Sequence, residues 1–448
     1  MRNMTEGNVT KNILLFAMPI LLGNIFQQLY NTADTIIVGR FSGKMALAAV
    51  GAAGPVMNIL LFFIVGLSLG TAILMSEFFG AEDIEKLKRE LATALSAGSI
   101  LVFFLSAGAW FVVRSILQLT KTPAEIIGDS EIYLKIIAAG LIFSFLYNIL
   151  SAAMRAVGDS KSPLVILVIS ACINMVLDIF FVKEYGMGVC GVAYATVISQ
   201  MISVVLCIGN IHFKIPELRI GIKDIGIDFQ LLKRTTGYSL SYAVQQTVIF
   251  LGIIFVQGAV NPLGIDSIAA FNSGSRIDGF ILSPSDSAGA ALTTFISQNR
   301  GAGKKERIVK GFESALIISF IYCTFTAAVI FIFSKTFIGL FIESKEVETI
   351  LLGVKYLKTI ATFYLLTAFC NTLQGFFRGM GRMGVTLIAT IIQIPIRVVL
   401  SYILTQYMGI AGVAVAMGTG WIFMMSYEGY KYLKYKRAIT GGKYEASI

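Results

Sequence analysis

The chain has 448 residues, 56% of them hydrophobic and only 14% charged, with a mean hydropathy of +0.79 and a net charge of +10. A water-facing globular surface needs about 25% charged residues, whereas a chain this long has room for about a dozen membrane-crossing helices at ~20 apolar residues each. A soluble enzyme, a disordered scaffold and a secreted disulfide module are excluded; the chain reads as an all-α polytopic membrane protein. The five cysteines (Cys172, Cys190, Cys207, Cys323, Cys370) are an odd number in or beside apolar runs and form no C-x-x-C pair, so they read as buried hydrophobes. One histidine, His212, and no H-E-x-x-H leave no zinc site. The first apolar run lacks a small-residue cleavage site and reads as a span, not a signal peptide.

In chain order, the first span, near 13–37, carries Pro19, the pair Gln27-Gln28 and the run Tyr30-Asn31-Thr32-Ala33-Asp34. Pro19 removes a backbone hydrogen bond and is expected to bend this helix. Asp34 is an ionisable group deep in an apolar run, which is costly in a bilayer and marks a functional candidate by default. Spans near 46–76, 91–113 and 132–154 follow, then 164–182, where Asn174 and Asp178 stand four residues apart on one helix face. The sixth, 189–211, holds Thr196. Two carboxylates, an amide and a hydroxyl suit sodium, which takes several oxygen ligands, or a proton on a buried carboxylate. Plain interhelical hydrogen bonding is the structural alternative.

Past a polar stretch, 212–234, spans are expected near 236–260, 267–297, 312–334, 353–377, 385–406 and 410–430. The seventh holds Gln245-Gln246. The eighth is the least regular, with Asn272, Arg276, Asp278, Pro284 and Asp286, and the eleventh carries Arg397. Gln27, Gln28, Tyr30, Asn31, Gln245, Gln246, Asn272 and Arg276 are candidates to line a substrate cavity, with helix–helix hydrogen bonding the competing reading for the glutamines. Arg276, Asp278, Asp286 and Arg397 are open between gating, cavity polarity and mutual neutralisation. The 33 Phe and 16 Met suit a cavity for bulky apolar cations, although most must serve lipid contact and packing. There is no P-loop, so ATP is not expected to drive this protein directly.

With a cytoplasmic N-terminus, 24 of the 36 Lys and Arg fall in inner loops and tails, Arg2, Lys223 and Lys443 among them. This positive-inside bias places both termini in the cytoplasm and assigns the +10 to the inner leaflet, not to nucleic acid. The chain also repeats itself. Phe26-Gln27-Gln28 matches Val244-Gln245-Gln246, Met154-Arg155-Ala156-Val157-Gly158 matches Phe377-Arg378-Gly379-Met380-Gly381, and Gly191-Val192-Ala193 matches Gly412-Val413-Ala414, at offsets of 218, 223 and 221. The halves are 1–222 and 223–448, six spans each, and an even number makes the repeat parallel. The expected fold is therefore twelve transmembrane helices in two pseudo-symmetric six-helix bundles, suited to a carrier that rocks between inward-open and outward-open states. Through the repeat Asp34 corresponds to Gly252, Asn174 to Arg397, Asp178 to Ser401 and Thr196 to Met417. The scaffold is duplicated and the acidic cluster is not, which assigns coupling chemistry to the N-terminal half.

Twelve spans in a 6+6 arrangement, Tyr30–Asp34 followed by Gly39-Arg40, and Arg155-Ala156-Val157-Gly158-Asp159 with its counterpart at Arg378 resemble the multidrug and toxic compound extrusion (MATE) family over about residues 10–435. Within it the chain is most similar to the DinF-like branch, whose cation site in the N-lobe matches Asp34, Asn174, Asp178 and Thr196, with Pro19 where the first helix bends. The NorM-like branch places acids in the seventh and tenth helices; spans 236–260 and 353–377 contain none here. The resemblance implies a cytoplasmic-membrane antiporter, not an enzyme, exchanging sodium or protons for small organic cations. It is expected to work as a monomer in the lipid bilayer with no cofactor besides the coupling ion. Two other readings are a lipid-precursor flippase of the same superfamily, kept alive by Arg276 and Arg397, and an intramembrane aspartyl protease using Asp34 and Asp178, which both lack its G-x-G-D signature.

Overall fold

The computed structural model describes residues 3–221, 224 and 226–440, and among these the chain is helical with no strand. Arg2, Lys223 and Lys443 lie outside the described residues. The helices are α1 (Val9–Ile37), α2 (Gly43–Gly80), α3 (Ile84–Leu119), α4 (Ala124–Ala139), α5 (Leu141–Ala156), α6 (Lys161–Ile179), α7 (Gly188–Lys214), α8 (Phe229–Val260), α9 (Ile265–Gly301), α10 (Lys305–Gly339), α11 (Val347–Ala361), α12 (Tyr364–Gly379), α13 (Met383–Met408) and α14 (Ile410–Thr440). Two pairs are single spans bent in the middle: α4 with α5 by 47° and α11 with α12 by 53°. Counted so, the helices make twelve spans, of which α9 is the least apolar. Large side chains such as Phe103, Phe111, Ile321 and Phe325 stand exposed along them, as lipid-facing surface requires.

The bends are a feature of the structure alone, since apolar runs carry no mark of a change in axis. They fall at Gly140 and at Thr362-Phe363, and Gly140 and Phe363 are 223 residues apart, the offset that relates Arg155 to Arg378. The eighth span, irregular in sequence, is one unbroken helix. Pro284 lies inside it, and nearby polar groups take up the disturbed ladder: Tyr322 donates to the Ile281 carbonyl at 2.8 Å and Ser287 to that of Ser283 at 2.8 Å. Hydroxyls bonding back to the helix are the usual way a membrane helix tolerates proline.

The chain divides into two compact units, one built from Leu22–Ala243 and the other from Met4–Leu21 with Val244 onward. Two helices are thus shared reciprocally: α1 starts in the second unit and ends in the first, and α8 does the reverse. Pro19 is buried inside an unbroken α1, just before its change of unit.

The first unit has two apolar cores. One is centred on Leu74, Leu91, Phe145 and Met154, the other on Ala49, Val113, Tyr133 and Val192. The second is packed around Tyr356, Leu357, Tyr364 and Val413, and around Phe295, Phe312, Phe376 and Phe377. In a bilayer the helices gain little from apolar burial against one another, so close approach and polar links decide the packing. Gly375 of α12 lies so near the Gly289 carbonyl of α9 that no side chain would fit. Between α6 and α7, Ser203 donates to Ser170 at 2.6 Å and Ser170 to the Ser199 carbonyl at 3.0 Å. These links fix the register of the two helices that carry Asn174, Asp178 and Thr196.

A candidate cation site

In the first unit the four candidates meet. Asp34 and Tyr30, one turn apart on α1, face α6, where the four-residue spacing stacks Asn174 and Asp178 on one side. Asn174 and Asp178 are buried, and Asp34 and Tyr30 are half-buried. The Asn174 amide nitrogen, turned toward its acceptors, donates to Asp34 Oδ1 at 2.9 Å, to Asp178 Oδ2 at 2.9 Å and toward the Tyr30 hydroxyl at 3.3 Å. Its oxygen then accepts from the Thr196 backbone N–H at 3.2 Å. Turned the other way, the amide oxygen faces only acceptors, which is favourable only with a cation or shared proton at the centre. The Thr196 hydroxyl donates to the Val192 carbonyl at 3.0 Å and is within reach of Tyr30.

The two carboxyl groups interact directly, and no Lys or Arg is among the groups acting on either. Asp178 Oδ1 is buried without a hydrogen-bond partner. Tyr133 of α4, buried, looks onto both acids. Two like charges about 4 Å apart repel by about 4 kcal/mol at an effective dielectric of 20, so a site with two acids, one orphaned oxygen and no base fits a small cation or proton. Among the described residues no three His, Cys, Asp or Glu side chains converge on a metal-holding group.

The chain matches the family profile MatE over residues 19–180 and 240–403. It belongs to the MATE family. A relative, the probable multidrug resistance protein YpnP of Bacillus subtilis, is 31% identical over 97% of this chain and 96% of its own length. The probable multidrug resistance protein NorM of Thermotoga maritima is 23% identical over 93% of this chain and 90% of its own. The solved "Crystal structure of MATE in the bent conformation" superposes over 98% of this chain and 97% of that one with a TM-score of 0.90 at 24% identity, the same fold. The protein is thus a multi-pass secondary transporter of the MATE family that exports small compounds, and it is not an enzyme.

The second unit of this MATE transporter holds acids too, differently arranged. Asp278 of α9 is buried and accepts hydrogen bonds from Tyr356 at 3.0 Å and from Tyr364. Arg397 of α13 is in electrostatic contact with both Asp278 and Tyr356. Arg276 is exposed, and Asp286 accepts from Asn371 at 2.6 Å. Fully buried Glu428 of α14 accepts from Gln374 at 2.6 Å; the Gln374 oxygen accepts from Arg378 at 3.0 Å and from Gln245 at 2.9 Å.

The eight cavity candidates are not gathered in one unit. Gln27 and Asn31, both exposed, share a 3.4 Å hydrogen bond in the first unit, where Gln28 and Tyr30 are half-buried. In the second unit Gln245 is buried, donating also to Thr390 at 2.9 Å, while Gln246 is half-buried and Asn272 exposed. Sequence reasoning missed Tyr133, Tyr356, Tyr364, Gln374 and Glu428. One signal was within reach: Tyr133 and Tyr356 lie 223 residues apart, the offset of their helices.

Proposed function

We propose that this MATE transporter is an antiporter that couples entry of sodium or protons to export of organic, drug-like cations across the cytoplasmic membrane, with both termini inside. Asp34, Asn174, Asp178 and the Thr196 region hold the coupling ion. The observation that carries this reading is the single Asn174 amide shared between two carboxylates that have no basic partner. An incoming cation neutralises the pair and takes the place of the amide hydrogens, and rotation of Asn174 offers its oxygen as a further ligand.

Coupling requires that the ion bind the two transport conformations unequally; moving a population from 1:99 to 99:1 takes about a 10⁴-fold difference in affinity. Carboxylates drawn together supply such a difference, because their repulsion grows steeply as they approach unless a cation sits between them. The test is efflux of a fluorescent organic cation from proteoliposomes, with sodium and pH gradients imposed separately. One gradient should drive export in the native protein and neither should in Asp34→Asn at equal membrane abundance. Unchanged efflux in the variant overturns the assignment.

A further inference from the structure

The repeat sets a matching place in the second unit beside the candidate cation site of the first, and each equivalent residue there has lost its role as an oxygen ligand. Gly252 stands for Asp34, and a Cβ on it would lie 2.6 Å from Ile394 Cγ2, so α8 and α13 close where a carboxylate would enter. Ser401 stands for Asp178 and donates its hydroxyl to the Arg397 carbonyl at 2.8 Å. Met417 stands for Thr196, and its sulfur receives the Tyr356 hydroxyl at 3.6 Å. Arg397 stands for Asn174. What persists is the tyrosine, Tyr133 in one unit and Tyr356 in the other, each facing buried acid. In the second unit that acid is Asp278, brought from α9 and capped by Tyr356 and Tyr364.

We propose that the second unit carries a cation site filled permanently from within: the Arg397 guanidinium occupies the place of an exchangeable ion and Asp278 is its counter-charge. Arginine does not give up its proton in proteins, and a side chain tethered to α13 cannot diffuse away, so this site neither loads nor unloads during transport. Its Nε is buried with no hydrogen-bond partner, as expected of a group retained for its charge and not for a fitted set of acceptors. The second unit therefore keeps a constant charge through the cycle, and the ion-dependent change is confined to the first.

This inference rests on the cation reading of the first unit, and the experiment separates the two. Bound sodium (²²Na⁺ by scintillation proximity) and proton uptake are measured on the purified full chain. Asp34→Asn should lose the cations bound by the native protein; if it does not, the first-unit reading fails. Arg397→Met in the Asp34→Asn background should gain one cation equivalent, sodium or proton, and the gain should vanish when Asp278→Asn is added. Arg397→Lys, which keeps a tethered charge, should gain none. Asp278→Asn alone should leave native cation stoichiometry unchanged. A monodisperse Arg397→Met protein that takes up nothing overturns the inference, as does a one-equivalent loss in Asp278→Asn, a readout that stands even if Arg397→Met does not fold.

Discussion

Both units place a tyrosine of their bent helix pair against buried acid, Tyr133 beside Asp34 and Asp178, and Tyr356 beside Asp278. The surroundings then diverge. In the first unit two carboxylates share one amide and have no base; in the second a single carboxylate is held by two tyrosine hydroxyls with an arginine nearby. A buried acid without a fixed counter-charge is costly and must recruit one from solution, whereas an acid with a tethered guanidinium is neutralised by the fold itself. Duplication of a bundle can thus preserve the scaffold while making one copy responsive to ions and the other indifferent to them.

The largest expected effect that sharpens this contrast is at Asp178. Asp178→Asn should bring ion-driven efflux in proteoliposomes down to the level of empty vesicles, and substantial residual coupling would break the contrast. Next is Asp278→Asn, which leaves Arg397 buried without its acid and should destabilise the protein by about 3–5 kcal/mol, read in detergent by thermal or denaturant unfolding. Adding Arg397→Met should recover most of that loss. Ion-driven efflux, corrected for folded protein, should persist in both. Gln374→Leu removes the donor to Glu428 and the acceptor of Gln245 and Arg378, and should cost about 2–3 kcal/mol with the driving ion unchanged.

The smallest effect is a control outside the membrane. Asp83 caps α3, accepting from the Lys86 backbone N–H at 3.0 Å and pairing with its ammonium at 2.8 Å. The Lys86 side chain and backbone hold this carboxyl below its usual range. Asp83→Ala should cost about 1 kcal/mol. Because the folded-state pKa is lowered, that contribution is present above the ordinary carboxylate pKa and fades as pH falls through the lowered value. Melting curves of the native protein and the Asp83→Ala variant should therefore converge in acid, with coupling unaltered at neutral pH.

The spans and the acidic pair were legible because they rest on local chemistry: apolar runs long enough to cross a bilayer, and Asn174 and Asp178 at helical spacing. The convergence of Asp34 with them was legible only through family resemblance, since no local pattern says which helices touch. Asp278 and Arg397 were visible as intramembrane charges, but the tyrosines that hold Asp278 lie 78 and 86 residues away, a juxtaposition made by tertiary packing. Glu428 was overlooked because it sits near the end of its span, just before the basic run Lys431 to Arg437, where a charge needs no partner in sequence terms. The shared helices α1 and α8 were hidden for a similar reason: an unbroken apolar run gives no sign that its two ends pack in different units.

The most direct test of the central claim is infrared difference spectroscopy of the carboxyl bands as sodium is added or pH is stepped on the purified protein. The account predicts a carboxyl signal that disappears in the Asp34→Asn/Asp178→Asn double variant and survives intact in Asp278→Asn. A signal that persists without Asp34 and Asp178, or that vanishes with Asp278, would contradict it.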